Sequence, residues 1–201
     1  ANVVVSGRMR VAVVGLGYVG LPTALSFAGE GTEVIGFDID EARLSAIKAS
    51  RVDLLPRDRT RLAGALQDQL IRLTTEASDI AEADAVVVCV PTPVDAHLTP
   101  DLTALSAACA TVVEHAKPGQ TIVLTSTTYP GCTRELLVKP LQSRGMAAGR
   151  DVFIAFSPER IDPGVVEHAP ERTPRVVGGV TEACGQMAGG FLAHTASALH
   201  M

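Results

Sequence analysis

The chain has 201 residues, enough for one sizeable domain or for one domain and part of another. It is 47% hydrophobic and 3% aromatic with a net charge of −5, so it lacks the basic surface that a nucleic-acid partner requires. No apolar stretch reaches the ~18 residues needed to span a bilayer, and no cationic run adjoins an apolar helix. The sequence therefore predicts neither a nucleic-acid nor a membrane partner, and it favours a cytoplasmic location.

Four cysteines, Cys89, Cys109, Cys132 and Cys184, are widely spaced and form no C-x-x-C pair. Such spacing favours buried or incidental thiols over disulfides or zinc ligands. The five histidines are also scattered, so no metal site is predicted.

The first predicted strand leads directly into a glycine-rich turn. Val11–Val14 is an apolar run typical of a buried parallel strand. Gly15, Gly17 and Gly20 follow with G-x-G-x-x-G spacing. The first permits a tight turn, the second lets a pyrophosphate approach the backbone, and the third lets the next helix pack on the strand. That helix, predicted from about Val19 to Glu30, would direct its N–H groups and positive dipole end at the phosphates.

A second predicted strand, Glu33–Phe37, ends at Asp38. This carboxylate lies roughly 20 residues after Gly20, where dinucleotide-binding folds carry the acid that binds the adenosine ribose diol. It would repel a 2′-phosphate, which favours NAD over NADP; an ordinary turn with an unrelated aspartate is the competing interpretation. Asp40 is predicted to cap the next helix. Arg43, one turn further, either reaches the ribose or phosphate or is a solvated helix residue.

Strands and helices then alternate to the end of the chain. Further strands are predicted at Ile71–Thr74, Asp84–Val90, Thr121–Leu124, Val152–Phe156 and Arg175–Gly178. Helices are predicted at Asp58–Leu70, after a cap at Asp101, around Leu136–Leu141 and at Thr181–Leu192. The alternation predicts an α/β fold with one Rossmann-like, doubly wound parallel sheet and helices on both faces.

Three loops follow predicted strands, at the sheet edge where open α/β folds bind ligands. Pro91-Thr92-Pro93 is a rigid turn after one strand, and Thr125–Thr133 places several hydroxyls after the next. These hydroxyls serve a ligand, or Thr133 caps the following helix, and both can hold. The third loop, Ser157–Gly164, contains two prolines and a glycine that stiffen it around its charged residues.

The glycine turn and these loops together resemble the UDP-glucose/GDP-mannose dehydrogenase family, the nucleotide-sugar 6-dehydrogenases. The segments that carry the resemblance are Gly15–Pro22, Asp38–Asp40, Val90–Pro93, Asp101-Leu102, Ser126–Gly131 and Ser157–Arg160. Their order and approximate spacing match the family from Met9 to about Gly179. On this basis residues 1–8 are an N-terminal extension and residues 9–201 an NAD-binding domain.

The resemblance implies oxidation of the C6 hydroxymethyl of a nucleotide sugar to a carboxylate, with two NAD used in succession. It implies cofactor contacts at Gly15, Leu16, Gly17, Tyr18, Val19, Gly20, Asp38, Arg43, Val90, Pro91, Thr92, Ser126 and Thr127. Thr127 would also hold a catalytic water, and Glu159 would act with that water or as an acid/base in the sugar pocket. Arg160 would be a substrate contact, with a structural salt bridge as the alternative account.

Cys132 departs from the family, which commonly has threonine in this loop. The family's catalytic thiol, with its lysine and asparagine partners, resides in the second half of a chain roughly twice as long. Because none of the four cysteines matches that motif, we expect this chain to be the NAD-binding half and to be inactive alone. The resemblance implies a homodimer for the full-length protein, whereas the state of this half by itself stays open.

The loop Ser157–Gly164 is similar to the branch that acts on UDP-N-acetylglucosamine or UDP-N-acetylmannosamine, because other branches usually carry an Asn-Pro-Glu-Phe-Leu loop. Two alternatives to this function remain open. A β-hydroxyacid dehydrogenase of the 3-hydroxyisobutyrate type shares the glycine opening, but the Pro-Thr-Pro, Tyr-Pro-Gly and Ser-Pro-Glu-Arg loops speak against it. A stand-alone, non-catalytic NAD-binding module is favoured only if no cysteine-bearing second domain exists.

Overall fold

A computed structural model describes residues 8–94, 100–159 and 174–201. The strands are β1 Arg10–Val14, β2 Glu33–Phe37, β3 Ile71–Thr74, β4 Ala85–Val88, β5 Thr121–Leu124, β6 Phe153–Phe156, β7 Arg175–Val176, β8 Gly178–Gly179 and β9 Leu199–His200. The α-helices are α1 Gly20–Gly29, α2 Glu41–Lys48, α3 Pro56–Gln67, α4 Thr103–His115, α5 Lys139–Ser143 and α6 Glu182–Leu192. Shorter helical turns are the 3₁₀ turns Ala77–Glu82 and Ala193–Thr195 and a π-helical turn, Arg134–Val138, that runs into α5.

Seven strands form one sheet in the order β3-β2-β1-β4-β5-β6-β8. The first six are parallel, and β8 pairs antiparallel with β6 at the edge. The order of the parallel strands, 3-2-1-4-5-6, is typical of dinucleotide-binding folds. It confirms the predicted doubly wound sheet. Strand order reverses between β1 and β4, so their carboxyl ends form the crevice where such sheets bind ligands.

Two hydrophobic cores cover the two faces of the sheet. Val11 and Val13 of β1 belong to the core that includes side chains of α1, α3 and α6. The alternate residues Ala12 and Val14 belong to the core that includes side chains of α4 and α5. Because both faces are buried, the inner strands are apolar throughout rather than alternating, as the sequence predicted.

The predicted strand Arg175–Gly178 is wrong, because it is two strands in different sheets. Arg175 and Val176 form β7, which pairs in parallel with β9 in a separate small sheet. Gly178 and Gly179 form β8 beside β6. A side chain at Gly179 would overlap the backbone of α6, so glycine is required where this edge strand meets the helix.

Two helix starts also differ from the predictions. The α3 helix begins at Pro56 rather than Asp58, because a proline at the first helical position has a suitable φ and needs no N–H partner. Thr133 is not a cap: its backbone is helical and its side chain makes no capping hydrogen bond. Asp101 behaves as predicted, since its Oδ1 accepts from the Thr103 N–H at 2.9 Å where α4 begins. Within the described ranges, no helix is long and apolar enough to cross a membrane.

Candidate functional site

Two cavities lie at the carboxyl edge of the sheet, on either side of the glycine turn that joins β1 to α1. The first, about 340 Å³, is bordered by the turn, the end of β2, the start of α2 and one face of α4. The second, about 370 Å³, is bordered by the turn and by the segments that follow β4, β5 and β6. Gly17 borders both, so a ligand that crosses this glycine can occupy the two cavities together.

The three glycines of the turn have different tasks. Gly15 has φ +88°, a conformation that favours glycine, and a Cβ there would lie 2.9 Å from Val90 Cγ1. A Cβ on Gly20 would overlap the Gly15 carbonyl oxygen, so this position must be glycine for α1 to pack on the turn. A Cβ on Gly17 would meet nothing within 4 Å. Gly15 and Gly20 therefore shape the turn, whereas Gly17 leaves space that a pyrophosphate fits.

The amino terminus of α1 is suited to a phosphate. The helix begins at Gly20, directly after the turn, and has ten residues. Its first turn contains no acidic residue, and Val19 at its N-cap position provides no side-chain capping bond. The Leu21 N–H donates to the Gly17 carbonyl at 3.2 Å and Pro22 has no N–H, so the attraction for an anion comes mainly from the positive end of the helix dipole. A dinucleotide pyrophosphate is an anion suited to this position.

On the first cavity's side, Asp38 and Arg43 both hold the peptide groups of Leu16. Asp38 Oδ2 accepts from the Leu16 N–H at 2.8 Å, and its Oδ1 accepts from the Asp40 N–H at 3.0 Å. Arg43 Nε donates to the Leu16 carbonyl at 2.8 Å. Asp40 caps α2, as predicted. The carboxylate of Asp38 is thus fixed at the border of the cavity, and each of its oxygens keeps a further lone pair.

On the second cavity's side, the structure brings together three of the predicted residues, Thr92, Thr127 and Glu159. Thr127 is exposed at the end of the β5 strand, and Thr92 is half-buried. The neighbouring Ser126 is used internally, because its Oγ donates to the Val90 carbonyl at 2.8 Å. That bond ties the loop after β5 to the loop after β4. Tyr18, Val19, Val90 and Pro91 complete the predicted lining.

Sequence analysis missed Arg175, which forms a buried ion pair with Glu159. Arg175 Nη2 lies 3.1 Å from Glu159 Oε2, and the side chains are only 4% and 9% exposed. The Glu159 N–H also donates to the Thr125 carbonyl at 3.4 Å. An arginine at an inward position of an apolar strand is unusual unless it is paired, and this was the available signal. Arg160 lies outside the described residues, as do residues 1–7 of the predicted extension.

Cys89 lies in the wall of the second cavity but is not suited to nucleophilic attack. Its Sγ is 3.3 Å from Thr125 Oγ1. The pKa of this thiol is raised to about 12, chiefly because the thiol is buried; the hydrogen bond to Thr125 and the charge of Arg175 act in the opposite direction, and the charge of Glu159 adds to the rise. All four cysteines are buried and free. Across the described ranges, no group of three His, Cys, Asp or Glu side chains could hold a metal ion.

The strand order, the glycine turn and the acid after β2 define a dinucleotide-binding domain. Residues 9–194 match the NAD binding domain of the UDP-glucose/GDP-mannose dehydrogenase family, and the chain belongs to this family. NAD is therefore its cofactor. Family membership also decides against the hydroxyacid dehydrogenase alternative.

Curated relatives extend well beyond the matched region. Protein CapL of Staphylococcus aureus is 42% identical over 175 residues, which are 86% of this chain and 40% of CapL. A UDP-N-acetyl-D-glucosamine 6-dehydrogenase of Pseudomonas aeruginosa is 38% identical, with 86% of this chain and 40% of that protein covered. The solved structure of a UDP-D-ManNAc dehydrogenase from Pyrococcus horikoshii superimposes with a TM-score of 0.88 at 32% identity, covering 95% of this chain and 46% of that one. The chain thus spans less than half the length of these proteins.

Proposed function

We propose that this chain is the NAD-binding half of an enzyme that oxidises the C6 hydroxymethyl of a UDP-N-acetylhexosamine to a carboxylate. The observation that carries the proposal is the second cavity, where Thr92, Thr127 and Glu159 converge beside the glycine turn. A dinucleotide laid over Gly17 from the Asp38 side has its far end in this cavity. A carboxylate and two hydroxyls at that end are suited to handling the protons of an alcohol oxidation.

Each cofactor-binding residue has a task in this proposal. The turn from Gly15 to Gly20, including Leu16, Tyr18 and Val19, holds the pyrophosphate at the start of α1. Asp38 binds the adenosine ribose diol, and Arg43 binds the ribose or phosphate beside it. Val90, Pro91, Thr92, Ser126 and Thr127 form the nicotinamide side. NAD, when bound there, supplies the hydride acceptor.

Glu159 and Thr127 are the proposed catalytic residues of this half. Thr127 holds a water through its exposed hydroxyl. Glu159 borders the same cavity and accepts a proton from that water, or serves as an acid/base for the sugar. Arg160 is kept as a proposed substrate contact, because it follows Glu159 directly in the sequence.

The acetylated substrate class has two lines of support. The sequence Ser157–Gly164 is similar to that of the UDP-N-acetylhexosamine branch, and the named relatives from Pseudomonas and Pyrococcus act on UDP-N-acetyl-D-glucosamine and UDP-D-ManNAc. We further propose a homodimer for the full-length enzyme. A cytoplasmic location is proposed as well, supported by four cysteines that are all free.

NADH absorbance with the full-length protein tests the proposal. UDP-N-acetylglucosamine, UDP-N-acetylmannosamine, UDP-glucose and GDP-mannose are offered in turn. Two NADH per molecule of one acetylated sugar is the expected result. Two NADH from UDP-glucose or GDP-mannose instead would keep the reaction and refute the substrate class. No NADH from any of the four would refute the function.

A further inference from the structure

We infer that Arg175 is a positioning residue for Glu159: its buried guanidinium holds the Glu159 carboxylate in a fixed orientation at the wall of the second cavity. The inference rests on the proposed function, since it takes Glu159 to be a catalytic group. Arg175 itself does not border the cavity, whereas Glu159 does. The arginine therefore acts through the glutamate rather than on the substrate.

Burial strengthens the contact between the two side chains. The Glu159 side chain is 9% exposed and that of Arg175 is 4% exposed, so water screens their attraction little. At 3.1 Å the guanidinium attracts the carboxylate directly and restricts its orientation. Since the neighbouring Cys89 thiol stays protonated, it adds no competing negative charge beside the pair.

The backbone around Arg175 is fixed from a second direction. The Arg175 N–H donates to the Ala198 carbonyl at 2.9 Å, and the Val177 N–H donates to the His200 carbonyl at 2.8 Å. These bonds belong to the small β7–β9 sheet, which lies outside the main sheet. Val177, which lies between β7 and β8 in the chain, is buried. The small sheet thus holds a cation in place behind the cavity wall.

Nothing else described for Arg175 explains the orientation of its side chain. Its Nε has no hydrogen-bond acceptor within the described ranges, and Nη2 is directed at Glu159. The charged end of Arg175 thus contacts a residue of the cavity wall, as a positioning role requires.

A mutant cycle in the full-length enzyme tests the inference, with NADH formation from the best nucleotide sugar as the readout. Arg175→Met is expected to lower kcat about 10- to 100-fold, within the range that acid–base catalysis contributes, and to change KM little. Arg175→Lys, which keeps the charge, is expected to recover most of the loss. In the Glu159→Gln background, Arg175→Met is expected to change kcat by no more than about twofold, because the charge it serves is absent.

The possible results distinguish failure of this inference from failure of the proposed function. If Arg175→Met fails to fold, Glu159→Gln is compared with the double variant, in which the carboxylate is absent; equal kcat values support positioning. A further loss in the double variant, full activity of Arg175→Met, or no rescue by lysine would each overturn the inference alone. No NADH from the wild-type enzyme with any sugar overturns the proposed function, and this inference with it.

Discussion

The two edges of the central sheet differ in how fully their buried polar groups are hydrogen-bonded. At the amino edge, Gln120 is 3% exposed and uses its whole amide: Nε2 donates to the carbonyls of Ile80 and Ala83 at 3.0 and 2.8 Å, and Oε1 accepts from the Lys117 N–H at 2.9 Å. At the carboxyl edge, the hydroxyls of Thr128 and Ser157 are buried without a hydrogen-bond partner in the described part of the chain.

The difference indicates which buried polar groups stabilise the fold and which remain able to bind a ligand. Satisfied buried groups hold loops together, because removing one leaves its partners unpaired at a cost of about 1–3 kcal/mol each. Buried polar groups without partners are uncommon in folded proteins and require an explanation. Thr128 and Ser157 lie in the segments that follow β5 and β6, next to residues that border the second cavity, such as Thr127 and Glu159. We therefore expect substitutions at the amino edge to change stability and substitutions at the carboxyl edge to change binding.

The largest effect is expected at the amino edge. Gln120→Leu removes three hydrogen bonds and takes these partners from the Ala83 carbonyl and the Lys117 N–H, while the Ile80 carbonyl keeps the Ala83 N–H, so the free energy of unfolding should fall by about 3 kcal/mol. Urea denaturation measures the loss. The matched control is Gln142→Leu at an exposed position, where a change within about 0.5 kcal/mol is expected. Equal effects of the two substitutions would show that Gln120 does not hold this edge.

At the glycine turn, Gly17→Ala is expected to weaken NAD binding about 30-fold, or about 2 kcal/mol, because the new Cβ occupies the space left for the pyrophosphate. Stability should stay the same or rise slightly, since alanine is unstrained here and restricts the unfolded chain. Gly20→Ala is the contrasting control: its Cβ overlaps the Gly15 carbonyl oxygen, so stability and binding are lost together. Calorimetric NAD titration and thermal melting separate the two patterns.

A smaller effect is expected on cofactor choice. Asp38→Asn removes the charge that repels a 2′-phosphate while keeping an oxygen for the Leu16 N–H. The preference for NAD over NADP should fall about tenfold, or about 1.4 kcal/mol. Asp53→Asn, the same charge change at an exposed position, is the control. An unchanged preference in Asp38→Asn would remove the proposed role of this carboxylate.

The smallest expected effect is that Cys89 does not react with an alkylating reagent in the folded protein. With a pKa of about 12, roughly one Cys89 thiol in 10⁴ is ionised at pH 8, and only the thiolate is nucleophilic. Folded protein treated with iodoacetamide should leave Cys89 unmodified at pH 8. Raising the pH increases the thiolate tenfold per unit, so slow labelling is expected only at strongly alkaline pH. Urea-unfolded protein is the positive control, and rapid labelling of the folded protein would contradict the assigned burial.

Sequence patterns predicted the parts of the fold that depend on local signals. The glycine turn, the strand ending at Asp38 and the Asp40 cap each involve residues close together in the chain, and each lies where it was predicted. Local patterns failed where contacts between distant segments of the chain determine the structure. The strand predicted over Arg175–Gly178 divides because Arg175 and Val176 pair with β9, whereas Gly178 and Gly179 pair with β6.

The candidate site shows the same division. The proposed cofactor contacts follow from the spacing of the turn and from the family resemblance. The ion pair between Glu159 and Arg175 could not be predicted in this way, because it joins segments that belong to different sheets. Gln120 was missed for a similar reason, since its two carbonyl partners lie about 40 residues earlier in the chain. No pattern of neighbouring residues indicates such contacts.

The most direct test of the contrast between the edges is NAD titration of three proteins, wild type, Gly17→Ala and Gln120→Leu, with unfolding measured in parallel. The account predicts weakened binding at unchanged stability for Gly17→Ala, and unchanged binding at reduced stability for Gln120→Leu. Binding that falls equally in both variants, or a Gly17→Ala protein that binds NAD as tightly as the wild type, would contradict it.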